Sequence, residues 1–104
     1  MKTLDLVLKY QWYDMIESGE KSEEYRIAKP YWVRRLCKAV EFSFIKDDGP
    51  LFEFKHFTHV RFHRGYTTKT MLWTIKEITM GLGKKEWGAP DDVVFIIKLG
   101  TKEK

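Results

Sequence analysis

The sequence predicts an α+β domain, a small mixed β-barrel of five to seven strands with two short helices near the N-terminus. Three observations support this prediction. The chain has 104 residues, close to the commonest size of one domain, so residues 1–104 are interpreted as a single domain. Four Trp, five Tyr and seven Phe residues can build a substantial core. Apolar and polar residues alternate in many short segments separated by turns, which is typical of the bent strands of a small barrel.

The N-terminal segments combine a strand pattern with a helix pattern. Residues 3–9 carry leucine at alternate positions, which predicts a strand with one apolar face. Residues 11–18 predict a helix that ends at Gly19, because glycine readily adopts the left-handed conformation common after a helix. The apolar stripe of this helix assigns Trp12 to the core rather than to a ligand surface. The residues of the stripe are Trp12, Met15 and Ile16.

A short strand and a second helix follow. Residues 22–27 predict an extended segment in which Glu24 and Arg26 share one face. The second helix is predicted to begin at Pro30, whose missing N–H costs nothing in a first turn. Its predicted buried stripe consists of Val33, Leu36 and Cys37, and its solvent-facing residues are Arg34, Arg35 and Lys38.

The next segments predict further strands. Residues 39–54 fit either a hairpin or a helix extension followed by a loop. Residues 58–64 predict a strand that places Val60 and Phe62 inward and its histidine and arginine residues outward.

The C-terminal part predicts two strands around a glycine-containing loop. A strand is predicted over 71–79, and Ile78 falls out of phase within it, which indicates a bulge. Residues 81–90 are predicted to form the loop. Residues 93–99 are almost uniformly apolar, which predicts a strand covered on both faces.

Targeting features are not predicted. The strand-like N-terminus does not resemble a secretory signal. The longest apolar run, 93–97, is too short to cross a bilayer, so no membrane partner is expected. The single cysteine, Cys37, cannot form an internal disulfide, which is typical of a reducing compartment. These features predict a soluble cytoplasmic protein.

Basic residues are concentrated in two stretches. Residues 26–40 and 54–76 together contain 10 of the 19 Lys and Arg residues and none of the 15 acidic residues. If the two stretches lie side by side in space, their field attracts phosphates. The alternative is that these residues occupy unrelated solvated faces.

Metal and cofactor chemistry are not predicted. His56, His59 and His63 are close in sequence, but only His59 and His63 share a strand face. No Cys or carboxylate is in register to complete a metal site. No glycine-rich phosphate loop precedes a helix, and no serine lies in a nucleophile elbow.

Lys21, Glu24 and Arg26 form a compact charged group directly after the predicted end of the first helix. One interpretation is a surface ion pair of little energetic value. The other is that Glu24 orients Arg26 for bidentate contact with a phosphate or a base edge. In that environment Lys21 could have a lowered pKa and act as a nucleophile or proton carrier. Position in the sequence does not distinguish the surface ion pair from the ligand-binding group.

The segment from Gln11 to Arg26 resembles the opening motif of the ASCH domain family, a helix followed by Gly-x-Lys-x-x-Glu-x-Arg. The motif residues correspond to Gly19, Lys21, Glu24 and Arg26. Three further segments resemble small bacterial and phage members: Lys-Pro-Tyr-Trp at 29–32, the Arg-Gly-Tyr within 62–66, and Glu-Trp-Gly at 86–88.

The resemblance implies a PUA-like fold, a pseudo-barrel with helices at one side, and binding of RNA or modified nucleotides in a cleft lined by the motif. One branch of the family consists of small amidohydrolases that remove acyl groups from the N4 amine of cytidine derivatives. That branch uses the motif lysine and a threonine for catalysis. Glu24 stands at the position of that threonine.

The leading hypothesis is a PUA-like module that binds RNA or a small nucleotide or nucleoside, with Lys21, Glu24 and Arg26 contacting the ligand. Three residues are predicted to form the opposite wall and to stack on an unpaired base; they are Arg64, Tyr66 and Trp87. Trp87 fits core packing equally well.

Two rival functions remain. The first is a small amidohydrolase acting on N4-acylated cytidine-type nucleosides, with Lys21 and Glu24 as the catalytic pair. The second is a protein-interaction module, which predicts a large exposed apolar patch. The sequence leaves the ligand and the oligomeric state open.

Overall fold

The computed structural model describes residues 1–38 and 53–103. Within these ranges the chain forms five strands and two α-helices. In chain order they are β1 (Thr3–Leu8), α1 (Tyr10–Glu17), β2 (Glu23–Ile27), α2 (Pro30–Leu36), β3 (His59–Arg64), β4 (Thr70–Leu82) and β5 (Val93–Lys102). A 3-10 turn, Lys85–Trp87, lies between β4 and β5. The two interpretations of 39–54 fall almost wholly outside the described residues.

The five strands form one mixed sheet in the order β1-β3-β4-β5-β2. The β1–β3 pair is parallel, and the other three pairs are antiparallel. The sheet curls into a half-barrel whose edge strands are β1 and β2. The predicted α+β class and barrel-like curvature are therefore confirmed, with five strands in the described ranges.

The larger core cluster packs β1, β3 and β5 against both helices. The leucines of β1 and the inward residues of β3, Val60 and Phe62, are buried as their alternation predicts. In β5, Phe95 and Ile97 belong to this cluster, whereas Val94 and Ile96 belong to a second cluster on the other face. The prediction that this strand is covered on both faces is confirmed.

Both helices bury one face, but the buried stripe of α1 differs from the prediction. Its buried residues are Tyr13 and Ile16, and Trp12 is only half-buried. Gly19 has φ of 87° and its N–H donates to the carbonyl of Ile16, so it ends the helix as predicted. In α2, Leu36 and the adjacent Cys37 are buried as expected.

Strand β4 extends further than the predicted 71–79, because Gly81 and Leu82 still pair with β5. Register shifts occur between Trp73 and Ile75 and between Ile75 and Glu77. The irregularity inferred from Ile78 is therefore present slightly earlier in the strand. None of the helices in the described ranges is long and apolar enough to cross a bilayer.

Candidate functional site

A cleft lies between the two edge strands of the half-barrel. It consists of two adjoining cavities. The first, about 340 Å³, is called here the aromatic cavity because Trp12, Trp32 and Trp87 all line it. The second, about 500 Å³, is called the basic cavity because Lys9 and Arg35 line it together with the edge of β1. The cavities share Trp12, Glu24, Tyr25, Arg26, Trp32 and Gly88.

At the cleft, side chains form hydrogen bonds with the backbone groups at the free edge of β2. The N–H of Tyr25 donates to Glu24 Oε1 at 2.9 Å, and its carbonyl accepts from Arg26 Nη1 at 2.7 Å. An edge strand otherwise presents unpaired backbone groups, which are costly when buried. Glu24 and Arg26 therefore take the place of a neighbouring strand at this point.

The edge of β1 is reached by two arginines. Arg26 Nη2 lies 3.4 Å from the carbonyl oxygen of Val7, and Arg35 Nη2 lies 3.4 Å from that of Asp5. These carbonyls are two residues apart and therefore point to the same side of the strand. Guanidinium groups from β2 and α2 thus span the opening of the half-barrel.

Lys21 is enclosed beneath the cleft, with 1% of the residue exposed. Its Nζ lies 3.2 Å from both carboxylate oxygens of Glu24 and donates to the carbonyl of Trp87 at 2.8 Å. The ring centroids of Trp12 and Tyr25 lie 4.7 and 5.5 Å from the same nitrogen. The ammonium is held by ion pairing, hydrogen bonding and cation–π contact at once.

Glu24 is the acceptor at the centre of this network and is 5% exposed. Its carboxylate accepts from Lys21 and from the N–H of Tyr25, and it forms an ion pair with Arg26, whose Nη1 lies 3.3 Å from Oε1. Because a buried carboxylate is tolerated only when paired and hydrogen-bonded, both cations are integral to its burial.

Trp32 lies between the network and the second arginine. The guanidinium carbons of Arg26 and Arg35 lie 5.1 and 5.4 Å from its ring centroid. Arg35 is also 5.9 Å from the ring of Tyr31 and donates to its hydroxyl at 3.3 Å. The rings orient both guanidinium planes at the cleft wall.

Burial shifts the pKa of several groups at the site. It lowers the pKa of the Lys21 ammonium, and the charge of Glu24 acts in the opposite direction. Burial likewise lowers the pKa of Arg26, which Glu24 opposes and Arg35 reinforces by like-charge repulsion. Burial also raises the pKa of the Tyr25 phenol, whose hydroxyl donates to Glu23 Oε2 at 2.9 Å.

Four of the six site residues predicted from the sequence come together. Lys21, Glu24 and Arg26 form one network, and Trp87 both lines the aromatic cavity and accepts from Lys21. The ammonium of Lys84 lies 4.2 Å from the Trp87 ring centroid. The interpretation of the motif as a surface ion pair does not hold, because Lys21 and Glu24 are buried.

The other two predicted site residues, Arg64 and Tyr66, do not line the cleft. Arg64 makes a bidentate contact with Asp14 at 2.9 and 3.0 Å and lies 4.2 Å from the ring centroid of Tyr10. This contact fixes its guanidinium on the outside of α1. Tyr66 is 98% exposed in the loop between β3 and β4. The opposite wall is formed instead by the edge of β1 and by α2.

Sequence reasoning missed several cleft residues. Helical periodicity predicts Trp12 in the core and Arg35 on a solvent-facing surface, and it gives Trp32 no role. The sequence pattern that indicates these cleft residues is the run Lys29-Pro30-Tyr31-Trp32, in which a cation and two aromatic rings lie at the start of a helix. Lys29 lines the aromatic cavity and is exposed.

The two basic stretches meet at β1. Arg35, from the first stretch, reaches the backbone of Asp5, while the Asp5 carboxylate contacts two residues of the second stretch. His63 Nε2 lies 2.9 Å and Arg61 Nη1 3.7 Å from Asp5 Oδ1. Within 1–38 and 53–103, no group of three or more His, Cys, Asp or Glu residues could hold a metal ion.

Fold and site together define a small α+β half-barrel with a basic, tryptophan-lined cleft at its opening. Comparison of the chain with models of protein families, with curated proteins and with solved structures gives no match.

Proposed function

We propose that this chain is a PUA-like module that binds single-stranded RNA or a nucleotide in the cleft. One observation carries the proposal. The guanidinium of Arg26 is held by a buried carboxylate and by Trp32 in a cavity that two further tryptophans line. Fixed cations beside aromatic rings are the combination that proteins use to bind unpaired nucleotides.

The parts of the cleft have distinct roles in this proposal. The tryptophan rings stack on a base, which has a π-face whatever its identity. Arg26 contacts a phosphate or the edge of the base, and Glu24 keeps its guanidinium in place. Lys21 fixes Glu24 and does not itself contact the ligand, because its ammonium is enclosed by Glu24, Trp87 and Trp12.

Charge supports the same proposal. Among the described residues, four cationic side chains and two carboxylates line the two cavities, and both carboxylates already contact cations. The cations are Lys9, Arg26, Lys29 and Arg35. Such an excess favours an anionic ligand such as a phosphodiester strand.

We expect the affinity for a short single-stranded RNA to fall as salt is raised. If the cleft contacts about two or three phosphates, the logarithm of affinity falls with the logarithm of salt at a slope of about −1.4 to −2.1. This corresponds to about a 7- to 20-fold loss between roughly 50 and 200 mM KCl. Fluorescence anisotropy of a labelled oligonucleotide measures the slope.

The matched control is a blunt duplex of the same sequence, whose stacked bases cannot enter the aromatic cavity. A flat salt response, equal affinity for the duplex, or no binding at low salt would contradict the proposal.

The amidohydrolase hypothesis has one favourable observation, the lowered pKa of Lys21 beside a buried carboxylate. The enclosure of Lys21 favours the binding module, because all of its donor directions are occupied. We therefore expect no turnover of a panel of N4-acylated cytidines, followed by chromatography of released cytidine. The amidohydrolase would be established instead if the protein turned over one of these substrates, Lys21→Ala abolished the turnover, and Lys85→Ala did not. Lys85 is the control because it forms an exposed ion pair.

A further inference from the structure

The two cavities of the cleft share six lining residues and differ in the others. The aromatic cavity contains all three cleft tryptophans, with Lys29 near its mouth. The basic cavity contains Arg35, Lys9 and the edge of β1, with Tyr31 as an additional ring. They are continuous through Arg26 and Trp32, which line both. Outside this shared wall, the aromatic cavity offers the ring of Trp87, and the basic cavity offers the guanidinium of Arg35.

Arg35 is a half-buried cation without a carboxylate partner in the described part of the chain. Its polar contacts are the neutral hydroxyl of Tyr31 and the neutral carbonyl of Asp5, at 3.3 and 3.4 Å. Both contacts are long for a charged donor. The remaining N–H groups of a guanidinium form a rigid fork suited to two oxygens of one anion.

The charges of residues 1–38 and 53–103 leave this cation uncompensated. The Asp5 carboxylate faces β3, where His63 and Arg61 contact it. Glu24 is committed to Lys21 and Arg26. Arg26 and Arg35 contact the same tryptophan ring, and the charge of Arg35 lowers the pKa of Arg26. An anion in the basic cavity would relieve this repulsion and restore part of the solvation that burial removes.

We infer that the basic cavity is a phosphate site with Arg35 as its principal donor, while the base stacks in the aromatic cavity. The ligand unit is then a nucleotide with its phosphate rather than a free nucleoside. A base and its phosphate are separated by one ribose, so a single nucleotide can reach both of two cavities that share the wall at Trp32. This inference rests on the proposed function and assigns the two halves of the ligand to the two cavities.

The experiment compares nucleosides with their 5′-monophosphates by isothermal titration calorimetry. The wild-type protein is expected to bind a nucleoside monophosphate at least about tenfold more tightly than the nucleoside, the effect of one charge-assisted bidentate contact. Arg35→Gln is expected to abolish that difference, so that this variant binds the monophosphate no more tightly than the nucleoside. Arg35→Lys keeps the charge without the fork and is expected to retain part of the difference.

Arg34→Gln is the matched control, because Arg34 is the preceding residue of α2, is exposed and does not line either cavity. It is expected to keep the full difference. Thermal unfolding of each variant verifies that it is folded. A dinucleoside monophosphate, whose phosphate is internal, distinguishes a strand phosphate from a terminal one. If the site binds a phosphate within a strand, the dinucleotide binds more tightly than the mononucleotide. If the site binds a terminal phosphate, the mononucleotide binds more tightly.

Three results would overturn the inference. The first is equal affinity of the wild-type protein for nucleoside and monophosphate. The second is a preference for the monophosphate that survives in Arg35→Gln. The third is an equal loss of this preference in Arg34→Gln and Arg35→Gln. In each case nucleoside binding persists and the proposed function stands. Absence of binding to nucleosides, nucleotides and single-stranded RNA alike would instead remove both.

Discussion

Replacing Lys21 with methionine is expected to lower the free energy of unfolding by about 3–5 kcal/mol, a large part of the stability of a domain of this size. Methionine fills most of the volume of the lysine stem but leaves Glu24 as a buried carboxylate without its nearest cation. Arg26 remains in contact with Glu24, but it also spans the cleft to Val7. Urea denaturation followed by tryptophan fluorescence measures the change.

The control for this substitution is Lys85→Met, which removes an exposed ion pair with Asp91 and is expected to change stability little. The double variant Lys21→Met/Glu24→Gln removes the unpaired charge as well. It is expected to be less destabilised than Lys21→Met alone, because a neutral amide still accepts from the N–H of Tyr25. If Lys21→Met lowered the free energy of unfolding no more than Lys85→Met does, the network of Lys21, Glu24 and Arg26 would not stabilise the fold.

The charged network could be predicted from the sequence because its members are local. Strand alternation places Glu24 and Arg26 on one face, and the structure brings their side chains to 3.3 Å. Lys21 is three residues before Glu24 and follows a glycine that ends the helix, so the turn brings the two together. Their burial could not be predicted, since Trp12 and the Trp87 carbonyl that enclose Lys21 come from other segments.

The position of Trp12 illustrates why helical periodicity was insufficient. Helix α1 has only eight residues, and two adjacent aromatic residues, Trp12 and Tyr13, compete for its buried face. Tyr13 is fully buried, and Trp12 is turned towards the cleft. The space for its indole depends on Gly88, whose φ is 94° and where an added Cβ would lie 2.8 Å from the ring. A contact between residues 76 positions apart has no local signature.

Arg64 shows the opposite error. The sequence hypothesis places it in the binding wall with Tyr66 and Trp87, but its guanidinium is occupied by Asp14, 50 residues earlier. The fold class was easier to predict, because strand alternation in β1 and β3 and the apolar run of β5 report burial directly. Which strands form the edges of the sheet, and therefore where the cleft lies, depends on long-range pairing such as the parallel β1–β3 ladder.

Replacing Trp32 with leucine is expected to weaken binding of single-stranded RNA by about ten- to a hundredfold, the value of one base-stacking ring. Trp32 lines both cavities and contacts both cleft arginines, so its removal also frees their guanidinium groups.

Trp73→Leu is the matched control, because Trp73 is likewise half-buried against the main core but does not line the cleft. Anisotropy titrations at one salt concentration compare the two variants, and thermal unfolding shows whether their stabilities fall by similar amounts. Equal losses of affinity in both would mean that the loss reflects stability rather than stacking. Unchanged affinity in Trp32→Leu would move the ligand away from the ring where the two cavities meet.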